Sequence, residues 1–316
     1  MTPPHATVAV LSIGQMGLGI ATLLLAHGFR VITNVSDRSA ATKERAKSAG
    51  IEQLDSDVEL VQQADYMLSI VPPIDAPATA QRVVDALHSP GAGREGKEKL
   101  WFLDLNAGSP DSATALAALF EGEPVVVVDG GIIGAPPRQD QQGTWSYRPG
   151  IPLSGPHQLT HAPAAGGLLA QSLNARHLGP HIGTASGLKA CFAALTKGFT
   201  ALALQSFTTA SALGVLPVLG EYMDVYNPGA KERAEKGIVG CTGKAYRWEE
   251  EMRLIGDTFG RQGGFGAQAN VFREVAGVFG ALADMVDGLG SEGSEGLGSA
   301  EGVVEKLGER LKSEKE

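Results

Sequence analysis

Strand-length apolar runs alternate with amphipathic stretches through the first half of the chain. Val8–Leu11, Arg30–Thr33, Tyr66–Val71, Leu100–Leu103 and Val125–Val128 read as strands, the third ended by Pro72-Pro73. Helical periodicity falls between them, over Met16–His27, Ser39–Ala49, Ala76–Leu87 and Pro110–Leu119. Largely uninterrupted apolar strands separated by helices predict a parallel sheet covered on both faces. The polar stretch His88–Lys99 reads as a surface loop. Gly134–Gly183 is rich in Pro and Gly, with strand-like pieces at Ile151–Ser154 and Ala175–Leu178. From Ser186 the turn signals thin, and helices are expected over about Ser186–Leu213, Lys244–Phe259 and Ala267–Val286. Beyond Gly288 a Gly/Ser/Glu-rich tail with a charged amphipathic end reads as a solvated appendage. The expected organisation is an α/β domain over residues 1–182, an all-α domain over 183–287, and a tail over 288–316.

Composition narrows the chemistry. The 316 residues are 43% hydrophobic and 19% charged, as in a folded chain with a sizeable core. A net charge of −9, with no basic run, disfavours nucleic acid and anionic membrane as partners. Cys191 and Cys241 make neither a disulfide framework nor a metal-binding pattern, so no metal is expected. They suit a reducing, cytoplasmic setting, as does an N-terminus that lacks the charge pattern of a signal peptide. No apolar run is read as reaching the ~20 residues of a membrane span.

The turn after the first strand carries the first chemical signal. Ser12-Ile13-Gly14-Gln15-Met16-Gly17 is one residue away from the G-x-G-x-x-G turn that cradles a dinucleotide in a doubly wound Rossmann sheet. In that turn the first glycine makes the bend, the second lets backbone approach the pyrophosphate, and the third lets helix pack on strand. The phosphates meet free N–H groups at the helix start. Gly14 and Gly17 fill the second and third places. Ser12 fills the first, where a small residue fits if its φ is negative. The second strand ends neutrally at Asn34, and Ser36, Arg38 and Ser39 follow. An arginine there offers a charge-assisted fork to a 2′-phosphate, which places NADP(H) ahead of NAD(H). Asp37 supports the opposite choice, because an acidic residue can accept the ribose hydroxyls of NAD. Arg38 also reads simply as a solvated charge at a helix start.

Four stretches in order resemble the β-hydroxyacid dehydrogenase family, relatives of 6-phosphogluconate dehydrogenase. They are Ser12–Gly17, the strand end at Val71-Pro72-Pro73, Asp104-Leu105-Asn106-Ala107-Gly108-Ser109-Pro110 against D-x-S-T-x-x-P, and Gly183-Thr184-Ala185-Ser186-Gly187-Leu188-Lys189 against G-x-G-x-x-x-K. Asp129-Gly130-Gly131-Ile132-Ile133-Gly134 stands in the place of the substrate motif D-A-P-V-S-G-G. The resemblance spans about residues 6–280 and is nearest to a divergent branch with a phosphogluconate-dehydrogenase-like C-terminal domain. It implies a nicotinamide placed near Val71 and Pro72, and Lys189 as general acid/base at the substrate oxygen. It also implies Asn106 as an amide beside the reacting group, and substrate positioning by Gly131, Ile132, Ile133 and Gly134.

The departures thin the contacts a β-hydroxyacid would use. Phe192 and Ala193 stand where the family has an asparagine, and Ile133 replaces the motif's serine. Thr196 and Lys197, seven and eight residues after Lys189, return to nearly the same helical face and are candidate replacements. Lys197 reads equally as one half of a buried pair or as a charge on the helix surface. Arg247 and Glu251, four apart, read either as site residues or as an intrahelical pair. The implied function is an NADP-dependent oxidoreductase acting on a small hydroxy acid or related carbonyl compound. Two readings stay open beside it: an imine reductase, against which Lys189 argues, and a catalytically eroded NADP-binding regulatory protein. The helix from Ser186 is apolar all round, and by resemblance to the family it implies a homodimer.

Overall fold

The apolar runs of the first half become the strands of one sheet. The computed structural model describes residues 3–94, 96–289 and 295–313. In chain order the first part runs β1 (Thr7–Leu11), α1 (Gln15–Ala26), β2 (Arg30–Asn34), α2 (Ala40–Ser48), β3 (Glu52–Leu54) and α3 (Asp57–Gln63). It continues with β4 (Tyr66–Ser69), α4 (Ala76–His88), β5 (Leu100–Asp104), α5 (Pro110–Ala118) and β6 (Val125–Gly130). These strands lie in the order β3-β2-β1-β4-β5-β6, all parallel. That is the doubly wound Rossmann order, whose switch point falls between β1 and β4. A hairpin of β7 (Arg138–Gln139) and β8 (Trp145–Tyr147) follows, then β9 (Ile151–Ser154), α6 (Gly166–Ser172) and β10 (Ala175–His177). β9 joins the sheet antiparallel to β6, and β10 extends it parallel to β9.

Alternation along each strand divides the core between the two faces of the sheet. Val8 and Val10, Tyr66 and Leu68, and Trp101 and Leu103 bury on the side of α1 and α6. Ala9, Met67, Leu100 and Phe102 bury on the other, with α3, α4 and α5. Local chemistry starts several of these helices. Ser39 and Ser56 accept hydrogen bonds from the N–H groups of Thr42 and Glu59. Ser109 and Ser112 form a capping box behind Pro110. β4 ends at Ser69, earlier than its apolar run, because the N–H of Val71 bonds to the side chain of Asn106 and Pro72 has none to offer.

The chain divides into two compact units, Met1–Lys189 and Ala190–Glu316, within the long helix α7 (Thr184–Ala212). The second unit adds α8 (Leu216–Tyr226), α9 (Ala230–Cys241), α10 (Ala245–Arg261), α11 (Phe272–Leu289) and α12 (Ala300–Ser313). Its core joins Leu204 and Phe207 of α7 to Ile238, Met252, Phe279 and Val304 from the other helices. Gly214, at φ +71°, ends α7 and lets α8 turn away. α11 begins at Phe272 and not at Ala267, because Gly263, Gly264 and Gly266 hold the preceding segment open and Asn270 accepts the N–H of Phe272.

Two expectations change. The tail is no solvated appendage over its second half, since α12 buries Ala300, Val303, Val304 and Leu307 in the core of the second unit. Of the Gly/Ser/Glu-rich stretch that begins the tail, residues 290–294 lie outside the described residues. And α7, 29 residues long with an 18-residue window of mean hydropathy 1.2, is long and apolar enough to cross a membrane by length and composition. In this fold Ala190, Ala193, Ala194, Ala201, Ala203 and Leu204 pack inside the second unit.

Candidate active site

Two neighbourhoods of the first unit carry the candidate chemistry. One is a cleft of about 360 Å³ at the sheet's switch point. Ser12, Ile13 and Gly14 from the turn after β1, Asn34 and Arg38 after β2, and Val71 and Pro72 after β4 all line it. Gly14 caps α1, no side chain caps the helix, and its first turn holds no acidic residue. The N–H groups there are thus available to an anion. A side chain at Gly14 would meet only the Ser12 hydroxyl, at 3.9 Å, so this place in the turn is an open cradle. At Gly17 a Cβ would lie 2.0 Å from the carbonyl oxygen of Ser12, which forbids any larger residue. These features fit a dinucleotide pyrophosphate.

Ser12 corrects the expected conformation. Its φ is +85°, the left-handed region that glycine occupies readily and serine does not. The turn therefore keeps the backbone of the glycine form while carrying a serine, at a cost of about 1–2 kcal/mol.

The β2 end is also arranged differently from the expectation. Asn34 accepts hydrogen bonds from the N–H and hydroxyl of Ser36, and its amide donates to Asp57 at 2.8 Å. Ser39 caps α2. Ser36 and Ser39 thus shape the turn, and neither lines the cleft. Gln15, Met16 and Gly17 belong to the start of α1 and do not line it either. Charged cleft residues that the sequence reading missed are Arg45, Asp57, Asp75 and Arg82. Arg45 donates to the carbonyl of Ile13 at 2.8 Å and so pins the glycine turn from α2. In the sequence these four read as ordinary polar residues of α2, α3 and α4, or just before α4.

The second neighbourhood is built around Asp129 at the end of β6, 1% exposed. Its carboxylate accepts from the hydroxyls of Ser154 and Ser186 and from the N–H groups of Gly183, Ala185 and Ser186, at 2.6–3.2 Å. A buried carboxylate against a helix N-terminus is favoured by both hydrogen bonds and the helix dipole. This contact fixes where α7 begins, and with it Lys189. The ammonium of Lys189 donates to the carbonyl oxygen of Ile132. A Cβ on Gly131 would lie 3.1 Å from Cβ of Lys189, so this glycine makes room for the lysine's stem. The motifs containing Gly131, Ile132 and Lys189 therefore meet. Gly134, at φ +121°, turns the following chain where a Cβ would strike the hydroxyl of Tyr147, and Ile133 pairs with Gly150.

Asn106 is placed differently from an amide that faces substrate. Its Oδ1 accepts the N–H of Val71 at 2.7 Å, and its amide donates to Ser69 at 2.9 Å and to Asp104. It ties the ends of β4 and β5 together. Burial pushes the Asp104 carboxyl up to about 6, the bonds from Asn106 oppose that rise, and nearby Asp129 adds to it.

The remaining candidates lie in the second unit. Thr196 donates its hydroxyl to carbonyls of its own helix, at Phe192 and Ala193. Lys197 pairs with Glu251 and lies over the ring of Trp248, 4.8 Å from its centroid. Of the two readings of Lys197, the paired one holds. Glu251 is engaged with Lys197, and Arg247 is exposed. Phe192 is 44% exposed.

Comparison with known proteins agrees with this geometry. Residues 7–150 match the NAD binding domain of 6-phosphogluconate dehydrogenase, and residues 210–282 match a domain of unknown function, DUF1932. No curated protein matches the sequence. Among solved structures, a conserved hypothetical protein from Sinorhizobium meliloti 1021 is 22% identical with a TM-score of 0.64, over 97% of each chain. The 3-hydroxyisobutyrate dehydrogenase of Mycobacterium tuberculosis, solved with L-serine, is 15% identical with a TM-score of 0.62, over 96% of this chain and 99% of that one. An imine reductase from Myxococcus stipitatus, solved with NADP+, is 17% identical with a TM-score of 0.53, over 95% and 99%. Its V8 variant was solved with NAD+. At these identities the likeness is one of fold.

Proposed function

We propose a function on the premise that the N-terminal unit is an NAD-binding domain of the 6-phosphogluconate dehydrogenase type, the family it matches. The protein is an NADP-dependent oxidoreductase that moves hydride between nicotinamide and a small hydroxy acid or related carbonyl compound. The observation that carries this reading is the meeting of Lys189 with Gly131 and Ile132, in the same unit as the dinucleotide cradle. When bound, the cofactor supplies the hydride acceptor or donor. The chain must then move one proton at the substrate oxygen, within hydrogen-bond reach. Lys189 does this, giving a proton from its Nζ to the substrate oxygen in reduction and, as the free amine, taking the hydroxyl proton in oxidation. Asp129 acts as a positioning residue through the start of α7.

The protein works as a cytoplasmic homodimer. The second unit leaves Leu195 and Leu202 of α7 exposed at 76% and 62%, faces that a second copy would cover. Both cysteines are free, as a reducing compartment requires. One observation favours a second reading, reduction of a C=N bond. Phe192, three residues after Lys189, offers an exposed apolar ring where the family has an asparagine, and an imine reductase shares the fold.

The test is nicotinamide fluorescence titration with NADPH and NADH, followed by a panel of hydroxy acids, carbonyl compounds and cyclic imines. Lys189→Met should keep nucleotide binding and lose about 10²–10⁴-fold in turnover. Undiminished turnover removes Lys189 from the chemistry. NADPH binding without turnover on any substrate supports the regulatory alternative. If neither nucleotide binds, the oxidoreductase reading fails.

A further inference from the structure

We infer that Arg82, on α4, is the second guanidinium of a 2′-phosphate seat whose first is Arg38, and that Asp37 occupies this seat in the absence of nucleotide. The inference rests on the dinucleotide reading of the cleft and deepens it to the choice between NADP and NAD.

Three observations carry it. First, the two oxygens of Asp37 face two different arginines, Arg38 Nε at 3.2 Å and Arg82 Nη1 at 3.9 Å. A carboxylate thus already lies between two guanidiniums that come from separate elements. Second, Arg38 and Arg82 line the cleft and Asp37 does not. An anion entering from the cleft meets the guanidiniums first. The Asp37 side chain, 54% exposed, is free to swing into water. Third, Arg82 is held in place from behind. Asp57 takes its Nε at 2.9 Å and its Nη2 at 2.8 Å, while the other oxygen of Asp57 accepts from Asn34. That leaves the Nη1 edge of Arg82 toward Asp37, and fixes the direction in which it presents hydrogens. Asp57 has both oxygens engaged and is a poor acceptor for ribose hydroxyls. Asp75 also lines the cleft, beside Pro72, one residue before α4 begins. Arg45 is committed to the carbonyl of Ile13.

A phosphate carries more charge and more acceptor oxygens than a carboxylate, so it displaces Asp37 from two forks at once. NAD offers hydroxyls there, which cannot replace Asp37 against two cations. The arrangement selects NADP.

The experiment is fluorescence titration of wild type, Arg82→Gln, Arg82→Lys and Asp37→Asn with NADPH and with NADH, in the full chain at fixed salt. Arg82→Gln should weaken NADPH by about 10–100-fold, the value of a lost charge-assisted hydrogen bond, and change NADH by less than threefold. Arg82→Lys, which keeps the charge and loses the fork, should fall between Gln and wild type. Asp37→Asn should tighten NADPH about fivefold, the value of one like charge at about 4 Å in water, and leave NADH no tighter. NADPH affinity unchanged in Arg82→Gln, or equal losses for both nucleotides, overturns the inference while the dinucleotide reading stands. A wild type that prefers NADH overturns it too. A wild type that binds neither nucleotide removes the reading beneath it. Should Arg82→Gln fail to fold, a lack of tightening in Asp37→Asn decides against the seat.

Discussion

The two units bury their apolar side chains to different degrees. Among the described residues, the large apolar side chains left exposed number three in the first unit (Ile74, Leu119 and Leu188) and thirteen in the shorter second unit. The sheet explains the first figure. Its strands present alternate residues to two faces, and helices cover both. The second unit is built on α7, which carries apolar residues on every side, and a few neighbouring helices cover only part of its circumference. The same contrast holds for polar groups. In the first unit the carboxylate of Asp129 is saturated with donors at the point where α7 starts. In the second, Lys197 and Glu251 meet as one ion pair against Trp248. In the second unit Leu195 and Leu202 of α7 and Tyr222 and Tyr226 of α8 face outward.

Substitutions sharpen this contrast, beginning with the strongest. Asp129→Ala removes the acceptor for two hydroxyls and three N–H groups at once, and should destabilise by about 3–5 kcal/mol in denaturant unfolding. A loss below about 1 kcal/mol would show that Asp129 does not organise the start of α7. Leu307→Ala, in the buried face of α12, should lose about 2–3 kcal/mol. A tail merely solvated would lose no more than about 0.5 kcal/mol. Leu202→Glu should convert a dimer to monomer in light scattering while the monomer's unfolding midpoint moves little. Leu119→Glu in the first unit should leave association unchanged. Equal behaviour of the two variants would break the contrast. The smallest effect is Ser12→Gly. Relief of the left-handed serine, less the entropy of a new glycine in the unfolded chain, should gain about 0.5–1 kcal/mol. No gain would mean that the serine's own contacts offset its strain.

What the sequence determined by itself is what short-range chemistry dictates. The order of strands and helices in the first unit was legible because apolar runs and helix caps act over a few residues. Gly14 and Gly17 were legible because a strand-to-helix turn needs glycine at fixed spacing. Gly131, Ile132 and Lys189 were marked by their motifs, although nothing local says that the lysine bonds to the carbonyl of Ile132. The sign of φ at Ser12 was not legible. A serine pays for that conformation only because Gly17 packs against its carbonyl. The hydroxyls of Ser36 and Ser39 looked available to a phosphate, and local hydrogen bonds claim both. Tertiary structure alone decided that Arg82, from a helix after the fourth strand, shares a cleft with Arg38 and Asn34 from the end of the second. It alone decided that Asn106 spends its amide on Val71, Ser69 and Asp104, and that α12 returns to the core. Apart from the bond between Asn106 and Asp104, those contacts join residues tens of positions apart. Their partners are chosen by which strands lie side by side, which a local pattern of residues does not contain.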